Sequence, residues 1–331
     1  MKITPKQGLM TATALLVSLS LLSSTASSQS RKVTFPEKGK TIQIIVGFAA
    51  GGSTDVGARL LAKGLEKELG VPVVIVNRPG AGGQLGYVAL TQAKPDGYTI
   101  GNTNFPSAVV TYLDPARQAT YKRNDFIPLA LHVVDPGLFA VRKDSPYKSL
   151  KDVIAAAKAN PGKITISTTG LQTDEHFAIL QLEKMAGVKF APVHFSQGIA
   201  SATTALLGGK IDVFAGNVGD LLGQYKAGEV RILGVMDDRR SPFYPNVPTF
   251  AAYGYKLENS ASRGFAAPAG TPTEVVNVLS KAIQKVASSE AHKQEMKNLG
   301  LTLRYMTPAK YRAYWSTYET DIQDLLPLSR Q

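Results

Sequence analysis

A glycine-rich loop between an apolar strand and a helix is the segment of this sequence best suited to chemistry. The loop spans residues 47–55 and contains Gly51-Gly52-Ser53-Thr54. Its two glycines allow the backbone to approach a ligand closely, and Ser53 or Thr54 is expected to cap the following helix. Because the first N–H groups of a helix are unpaired and lie at its positive end, this loop is suited to hold a carboxylate or a phosphate.

A simple tight turn is the alternative explanation for the glycines. The loop lacks the Lys-Ser/Thr pair of a nucleotide P-loop and the Gly-x-Gly-x-x-Gly spacing of a dinucleotide site. A nucleotide is therefore not indicated, and the choice between a turn and an anion site depends on the rest of the chain.

Six segments in a fixed order resemble the substrate-binding proteins of tripartite tricarboxylate transporters, also called the Bug family. They are the loop with its strand (42–55), a strand followed by Asn77-Arg78-Pro79-Gly80 (73–83), Pro95-Asp96-Gly97-Tyr98 (95–100), and residues 206–213, 238–249 and 267–272. The resemblance covers nearly the whole chain after its first residues. It implies a receptor with two lobes that close around an organic carboxylate, with no catalysis, metal or organic cofactor.

The start of the chain has the pattern of an export signal. Lys2 and Lys6 precede an apolar run over residues 9–22, and residues 24–26, Ser-Thr-Ala, form a small-residue cleavage site. We predict a signal peptide over residues 1–26 and a soluble periplasmic protein. The absence of cysteine excludes disulfides, thiol catalysis and a lipoprotein anchor.

The 331-residue chain is basic, with a formal net charge of +12. Its basic residues are scattered rather than clustered, which is typical of a solvated surface. An exported chain without interleaved aromatic and basic residues is not expected to bind nucleic acid. The positive field would steer anionic ligands towards a cleft. We expect the protein to act as a monomer.

Alternating strands and helices predict an α/β protein. Strands are expected over residues 42–48, 73–77, 98–102, 138–142, 164–168, 190–194, 211–215, 230–235 and 264–267. Helices are expected over residues 54–69, 83–93, 149–158, 173–186, 199–207 and 218–226, and Thr271 and Thr307 are expected to cap two more.

The expected architecture is a two-lobed type II periplasmic binding protein fold, with two parallel-rich sheets joined by two hinge strands. The first lobe comprises residues 36–138 and 264–331, and the second comprises residues 139–263. The chain would cross between the lobes near residues 138–143 and 262–268. Ligands of such folds bind at the carboxyl ends of the strands, and lobes of this kind close on the ligand.

Catalytic signatures are missing from the sequence. It has no Gly-x-Ser-x-Gly elbow and no His-Glu-x-x-His helix, and its four histidines are far apart. Asp174-Glu175-His176 is compatible with a metal cluster. The favoured alternative is that both acids lie in the first turn of a helix, where negative charge complements the helix dipole.

The resemblance implies that the glycine-rich loop of the first lobe holds one ligand carboxylate through backbone N–H groups, Ser53 or Thr54, and bridging water. Asn102 to Phe105 end a strand and are expected to face the same cleft, although turn chemistry also explains Asn102 and Asn104. The candidate ligand residues of the first lobe are Phe48, Ala50, Gly52, Ser53, Thr54, Asp55, Thr103 and Asn104.

In the second lobe, a Ser-Thr-Thr-Gly loop at residues 167–170 mirrors the first loop. The candidate ligand residues there are Thr168, Thr169, Gln172, Thr173, His194 and Asn217. The family usually has Tyr where this chain has Phe195, which leaves that contact in doubt and places His194 near the cleft. A half-buried strand residue is the alternative for His194. Asn217 stands where the family often carries Asp, so its neutral amide removes repulsion for an anion.

Arg263 lies beside the second predicted crossing, where the family commonly has an aromatic or a small residue. A guanidinium can hold a carboxylate through two parallel hydrogen bonds, whereas a solvated surface arginine is the alternative. A second grip at Arg263 favours a dicarboxylate or a larger polyacid. Phe48, Phe105 and Phe195 would line an apolar middle that suits an aromatic dicarboxylate such as terephthalate.

The sequence therefore predicts a receptor that captures an organic carboxylate and delivers it to integral subunits of a tripartite tricarboxylate-type membrane transporter. The alternative is a periplasmic sensor that presents the bound carboxylate to a membrane histidine kinase. Both would use closed lobes, so the residues alone do not separate them.

Overall fold

The computed structural model describes residues 34–330, so the predicted signal peptide lies outside the described residues. The strands are β1 (Ile42–Val46), β2 (Val73–Asn77), β3 (Thr99–Phe105), β4 (Phe126–Arg142), β5 (Thr165–Thr168), β6 (Ala191–His194), β7 (Phe214–Asn217), β8 (Val230–Met236), β9 (Ser260–Pro268) and β10 (Leu303–Met306). The α-helices are α1 (Ser53–Leu69), α2 (Gln84–Thr91), α3 (Ser107–Leu113), α4 (Leu150–Ala159), α5 (Asp174–Ala186), α6 (Ile199–Leu207), α7 (Leu222–Lys226), α8 (Thr273–Ser288), α9 (Glu290–Asn298) and α10 (Pro308–Leu325). Strands and helices thus alternate through most of these residues, as predicted for an α/β protein.

The sheet of the first lobe has the strand order β2-β1-β3-β9-β4-β10. Only β2, β1 and β3 are parallel to one another, whereas β9, β4 and β10 run antiparallel to their neighbours. Alternate residues of β1 point to opposite faces: Ile44 packs with α1 and α8, and Ile45 packs with α2 and α10. The sheet is therefore mixed, and the prediction of a parallel-rich sheet was too simple.

One long strand, β4, belongs to both lobes. Up to Pro136 it pairs with β9, and from Gly137 it pairs with β7 and β8. The predicted strand covered only the second part, residues 138–142, because prolines interrupt the earlier part of the pattern. The structure accommodates Pro128 next to a shift in register, where a missing N–H group is tolerated.

The chain returns to the first lobe just before β9. The Gly137 N–H donates to the Asn259 carbonyl (2.8 Å), and the Asn259 N–H donates to the Met236 carbonyl (3.1 Å). From Ser260 onward β9 pairs only with β3 and β4. The chain therefore changes sheets at residues 136–137 and 259–260. The predicted second crossing, residues 262–268, lies inside β9.

The N-terminal caps of the helices show which helix starts can be predicted from local sequence. Ser149 caps α4 by accepting from the Asp152 N–H, and Thr307 caps α10, as predicted. The predicted capping box of α8 is wrong, because Pro272 holds the cap position and the Thr271 hydroxyl donates to the Pro268 carbonyl. The predicted cap of α1 is also wrong, because Gly52 precedes the helix and makes no side-chain cap.

Across residues 34–330, every helix is too short or too polar to cross a membrane.

A buried histidine pair joins β4 to α9 in the first lobe. The Nε2 atoms of His132 and His292 lie 2.8 Å apart, and both side chains are buried. One ring must donate and the other accept, so at least the accepting ring is neutral. Burial, with His292 and Arg263 nearby, lowers the pKa of His132 to about 3. Burial also lowers the pKa of His292.

This pair predicts a loss of stability in acid. Above pH 6.5 both states hold neutral rings and the stabilisation is complete. As pH falls below 6.5, the unfolded chain takes up more of these protons than the folded chain, so the free energy of unfolding drops by up to about 1.4 kcal/mol per pH unit for each ring. We expect His292→Gln to reduce the pH dependence of the free energy of unfolding between pH 6.5 and 5 by up to about the contribution of one histidine. Urea unfolding at several pH values measures it. If the free energy of unfolding falls equally with pH in the variant and the parent protein, the histidine pair does not determine the loss of stability in acid.

Candidate ligand site

A narrow cavity lies between the lobes, at the carboxyl ends of strands from both sheets. This is the position where α/β proteins bind ligands. The first lobe contributes Phe48, Ala49, Gly52, Ser53, Thr54, Asn104 and Arg263. The second lobe contributes Thr169, Asp174, Glu175, Gly198, Ile199, Asn217 and Asp220. The free volume is about 30 Å³, room for about two water molecules.

A larger groove, about 440 Å³, lies on the side of the molecule where the chain changes sheets. Its walls include Pro136, Met236, Asn259 and Tyr314. It is not bordered by the loop at residues 47–55 or by the start of α1 or α5. The narrow cavity is therefore the better candidate for a ligand site, despite its small volume.

Arg263 connects the walls of the cavity. It lies on β9 opposite Asn104 of β3, and its side chain is 4% exposed. In the first lobe its Nε donates to Thr54 Oγ1 (2.9 Å) and its Nη2 donates to Ser53 Oγ (2.8 Å). Across the cavity the same Nη2 donates to Asn217 Oδ1 (3.0 Å). A single guanidinium thus joins the first turn of α1 to the end of β7.

Asp135 is the ion-pair partner of this guanidinium. Arg263 Nη1 donates to Asp135 Oδ2 (2.8 Å), and Gly219 N–H donates to Asp135 Oδ1 (3.2 Å). Asp135 is fully buried on β4. Burial raises its pKa above the usual range, and the attraction of the guanidinium opposes that rise. The arginine is thus held by a carboxylate behind the cavity, and four of its five N–H donors have protein partners.

Asp55 shapes the glycine-rich loop from behind. It accepts from the Gly51 N–H (3.0 Å), from Arg59 Nε (2.9 Å) and from Asn77 Nδ2 (2.9 Å). Burial alone would raise its pKa, but the hydrogen bonds from Arg59, Gly51 and Asn77 lower it overall. Asp55 does not line the cavity, so its geometry is that of a positioning residue for the loop.

Two acidic side chains at the start of α5 form much of the second wall. Asp174 accepts from Asn217 Nδ2 (2.8 Å), and Glu175 accepts from Thr169 Oγ1 (3.1 Å). Burial raises the pKa of Asp174 to about 6. Burial and the neighbouring Asp174 raise the pKa of Glu175 to about 8. Asp220 lies beside them, with its Oδ2 accepting from the Asn217 N–H (2.8 Å).

Eight of the predicted ligand residues come together at the cavity. They are Phe48, Gly52, Ser53, Thr54, Asn104, Thr169, Asn217 and Arg263. Contact with a ligand stays a prediction for each of them. Their common position follows from the fold, because each stands at the end of a strand, in the loop after it, or, for Arg263, beside such an end on β9.

The other predicted residues have different surroundings. Thr103 bonds to the Tyr311 hydroxyl in the core (2.6 Å), and Thr168 bonds to the exposed His194 (2.6 Å). Thr173 donates to the Gly170 carbonyl (3.0 Å), and Ala50 is exposed.

Gln172 lies outside the cavity and joins the lobes. Its side-chain amide donates to Asp114 of the first lobe and to Ser329 Oγ. Arg330 forms an ion pair with the same aspartate (2.9 Å). The C-terminal residues thus tie the two lobes together beside the cavity.

The predicted aromatic middle is only partly present. Phe48 lines the cavity, but Phe105 is fully buried against Trp315, with ring centroids 4.8 Å apart. Phe195 packs against the core of the second lobe. The cavity therefore has one aromatic wall rather than three.

Sequence reasoning missed the acidic wall. Asp174 and Glu175 were interpreted as a dipole-complementing first turn, and Asp220 and Asp135 were not singled out. A local signal exists, because both acids directly follow the Thr-rich loop predicted to face the cleft. Within residues 34–330, no group of three or more His, Asp or Glu side chains has the arrangement of a metal site.

Comparisons with known proteins agree on one family. The profile of the tripartite tricarboxylate transporter family receptor matches residues 57–317. Protein BugT of Bordetella pertussis is 34% identical over 288 residues, which is 85% of this chain and 86% of that protein. The structure of periplasmic binding protein BugD has a TM-score of 0.81 and 29% identity, covering 88% of this chain and 98% of BugD. MatC from Rhodopseudomonas palustris with bound malate has a TM-score of 0.79 and 26% identity, covering 87% and 99%.

Proposed function

This chain belongs to the tripartite tricarboxylate transporter receptor family, and we propose that it captures a small organic carboxylate in the periplasm and delivers it to the integral subunits of a membrane transporter. The observation that carries the proposal is the position of Arg263. Its guanidinium faces the start of α1 in the cavity between the lobes, so one cation and one helix N-terminus serve the same anion position.

The contacts of Arg263 suggest how a carboxylate would be held. Asp135 lies on the neighbouring strand and fixes one side of the guanidinium. Asn217 belongs to the opposite lobe and accepts from the other side. A ligand carboxylate would replace Asn217 as the acceptor and would also bond to Ser53 and to the N–H groups at the start of α1. Because the guanidinium is already fixed by Asp135, little of its freedom would be lost on binding.

Lobe closure would be the step that commits the ligand. We place the hinge at residues 136–137 and 259–260, where the chain changes sheets. The lobe bounds, residues 36–138 with 264–331 and residues 139–263, stay a prediction. Closing two lobes around a ligand buries it and presents a new surface to a partner.

Dicarboxylates are one class of candidate ligand. The relative MatC was solved with malate, and the sequence suggested a second grip at Arg263 that would suit a diacid or terephthalate. Here the arginine and the start of α1 form one grip rather than two. A dicarboxylate would therefore need its second carboxylate to be accepted by the opposite, acidic wall.

Calorimetric titration of the mature protein tests the proposed function. The protein is first unfolded and refolded to remove any ligand carried over from expression. The panel contains monocarboxylates, C4 dicarboxylates, citrate, amino acids, nicotinate, phthalate and terephthalate, and small-angle scattering follows closure. We expect tight one-to-one binding of at least one carboxylate, with a smaller radius of gyration on binding. If no carboxylate binds or closes the lobes, the receptor function is contradicted.

A further inference from the structure

The two ends of the cavity carry opposite charge. At the first-lobe end, Arg263 faces the start of α1, whose first residues are the neutral Ser53 and Thr54. At the second-lobe end, α5 begins with Asp174 and Glu175. Each helix directs its positive end towards the cavity, but in α5 two carboxyl groups already occupy that position. A ligand anion is favoured at one end and disfavoured at the other.

Helix stability alone does not require this arrangement. Acidic side chains in the first turn of a helix complement the helix dipole without a cost of burial when they are exposed to water. Here Asp174 and Glu175 are only 5% and 6% exposed, and burying a carboxyl group without full compensation is unfavourable. The cost of burial would be offset by a cation in the cavity.

Buried acceptors without a hydrogen-bond partner also favour a ligand that carries donors. Asp220 Oδ1 is buried without a hydrogen-bond partner, although its Oδ2 is bonded. Asn104 is 5% exposed and lines the cavity; its Nδ2 donates to Thr54, and its Oδ1 has no partner. Among the described side chains that line the cavity, only Arg263 is positively charged, and it already donates to four acceptors. A ligand with its own donors would satisfy these oxygens.

We propose that the ligand is an amino acid or a related amino-carboxylic acid, whose carboxylate faces Arg263 and whose ammonium group faces Asp174, Glu175 and Asp220. This inference rests on the proposed function and narrows its substrate class. An ammonium supplies three donors and one positive charge to the carboxyl groups of this wall. A dicarboxylate would place a second negative charge against the same wall.

Matched ligands separate the two classes. Glycine, β-alanine and 4-aminobutanoate differ from malonate, succinate and glutarate only in carrying an ammonium where the diacid has a carboxylate. The common L-amino acids and butanoate complete the set. At pH 7 we expect the tightest amino acid to bind at least about 10-fold more tightly than any diacid or monocarboxylate in the set.

Neutral replacements of the acidic wall provide the matched variants. Asp174→Asn keeps the size of the side chain and removes its charge, and Glu175→Gln keeps the size of its side chain and removes its ability to ionise. We expect Asp174→Asn to weaken amino-acid binding by about 10-fold or more and to strengthen diacid binding. Glu183→Gln is the control, because Glu183 is a buried acid on the same helix that bonds to Phe190 N–H outside the cavity. It should leave both affinities unchanged.

Proton exchange on binding gives an independent readout. Burial and the neighbouring Asp174 raise the pKa of Glu175, and an ammonium beside this carboxyl group favours loss of its proton. A second carboxylate would instead favour proton uptake by Asp174 or Glu175. The other charged groups around them are Arg263, Asp135 and Asp220, and the nearest histidine on α5 is the neutral His176. Titrations in buffers of different ionisation enthalpy should show proton release.

The outcomes distinguish this inference from the proposed function. Preference for amino acids, proton release and loss of affinity in Asp174→Asn support the inference. A diacid or monocarboxylate that binds at least as tightly as every amino acid overturns it and leaves the receptor function intact. Equal amino-acid affinity in Asp174→Asn and Glu183→Gln also overturns it. If nothing in either panel binds, both the inference and the proposed function fail.

Discussion

Arg263→Met is expected to lower the free energy of unfolding by about 3–5 kcal/mol and to weaken carboxylate binding by about 100-fold. The loss of stability arises because the substitution leaves Asp135 fully buried without its cation. The loss of binding arises because the guanidinium is the cation at the anion position beside α1. Urea unfolding and calorimetric titration with the best ligand of the panel measure the two effects separately.

A double variant separates stability from recognition. Arg263→Met with Asp135→Leu replaces the buried ion pair by apolar side chains, and such replacements are often neutral or stabilising. We expect the double variant to recover most of the lost stability and none of the lost affinity. Arg231→Met, at an arginine that bonds to the Tyr147 carbonyl away from the cavity, is the control for removal of one positive charge. A double variant that binds normally would reduce Arg263 to a structural role.

Elements with a strong apolar pattern could be predicted closely. The strand at Val73–Asn77 and the helix at Ile199–Leu207 have the predicted bounds. Helix α9 and strand β10 were missed for a physical reason. Helix α9 buries only His292 and Met296, and β10 is a four-residue strand with no buried residue, so neither has a pattern that sequence can reveal.

The site was predictable only where strand ends determine it. Ser53 and Thr54 follow β1 and Asn217 ends β7, and ligands of α/β proteins bind at such carboxyl ends of strands. Arg263 was a candidate because it lies beside the second predicted crossing, where the family commonly has an aromatic or a small residue. The acidic wall was difficult to predict, because Asp174 and Glu175 have the same local pattern as an exposed first turn, and their place after the loop at residues 167–170 is the local signal for it.

The position of the carboxyl end of β1 depends on the close approach of its backbone to α2. The sequence did not reveal this contact. A Cβ atom at Gly86 would lie 2.6 Å from the Gly47 Cα, and one at Gly47 would lie 2.8 Å from the Gly83 carbonyl oxygen. These neighbours are backbone atoms, which cannot rotate away as a side chain would. The loop at residues 47–55 begins at this contact, so its position depends on two glycines facing each other.

Gly86→Ala is therefore expected to destabilise the protein and displace the loop. Overpacking against backbone costs about 3 kcal/mol, and the better helix propensity of alanine returns about 1 kcal/mol, so we expect a net loss of about 2 kcal/mol. Carboxylate affinity should fall by about 10-fold as β1 moves away from Arg263. Urea unfolding and titration measure both effects.

Gly223→Ala provides the matched control on α7, where a Cβ atom meets nothing within 4 Å and the backbone conformation suits any residue. It makes the same chemical change in a helix and should leave binding unchanged while stabilising the protein by up to about 1 kcal/mol. Equal stability and equal affinity in the two variants would mean that the contact between Gly47 and Gly86 relaxes freely. The anion position would then depend on Asp55 and its three hydrogen bonds rather than on how closely α2 approaches β1.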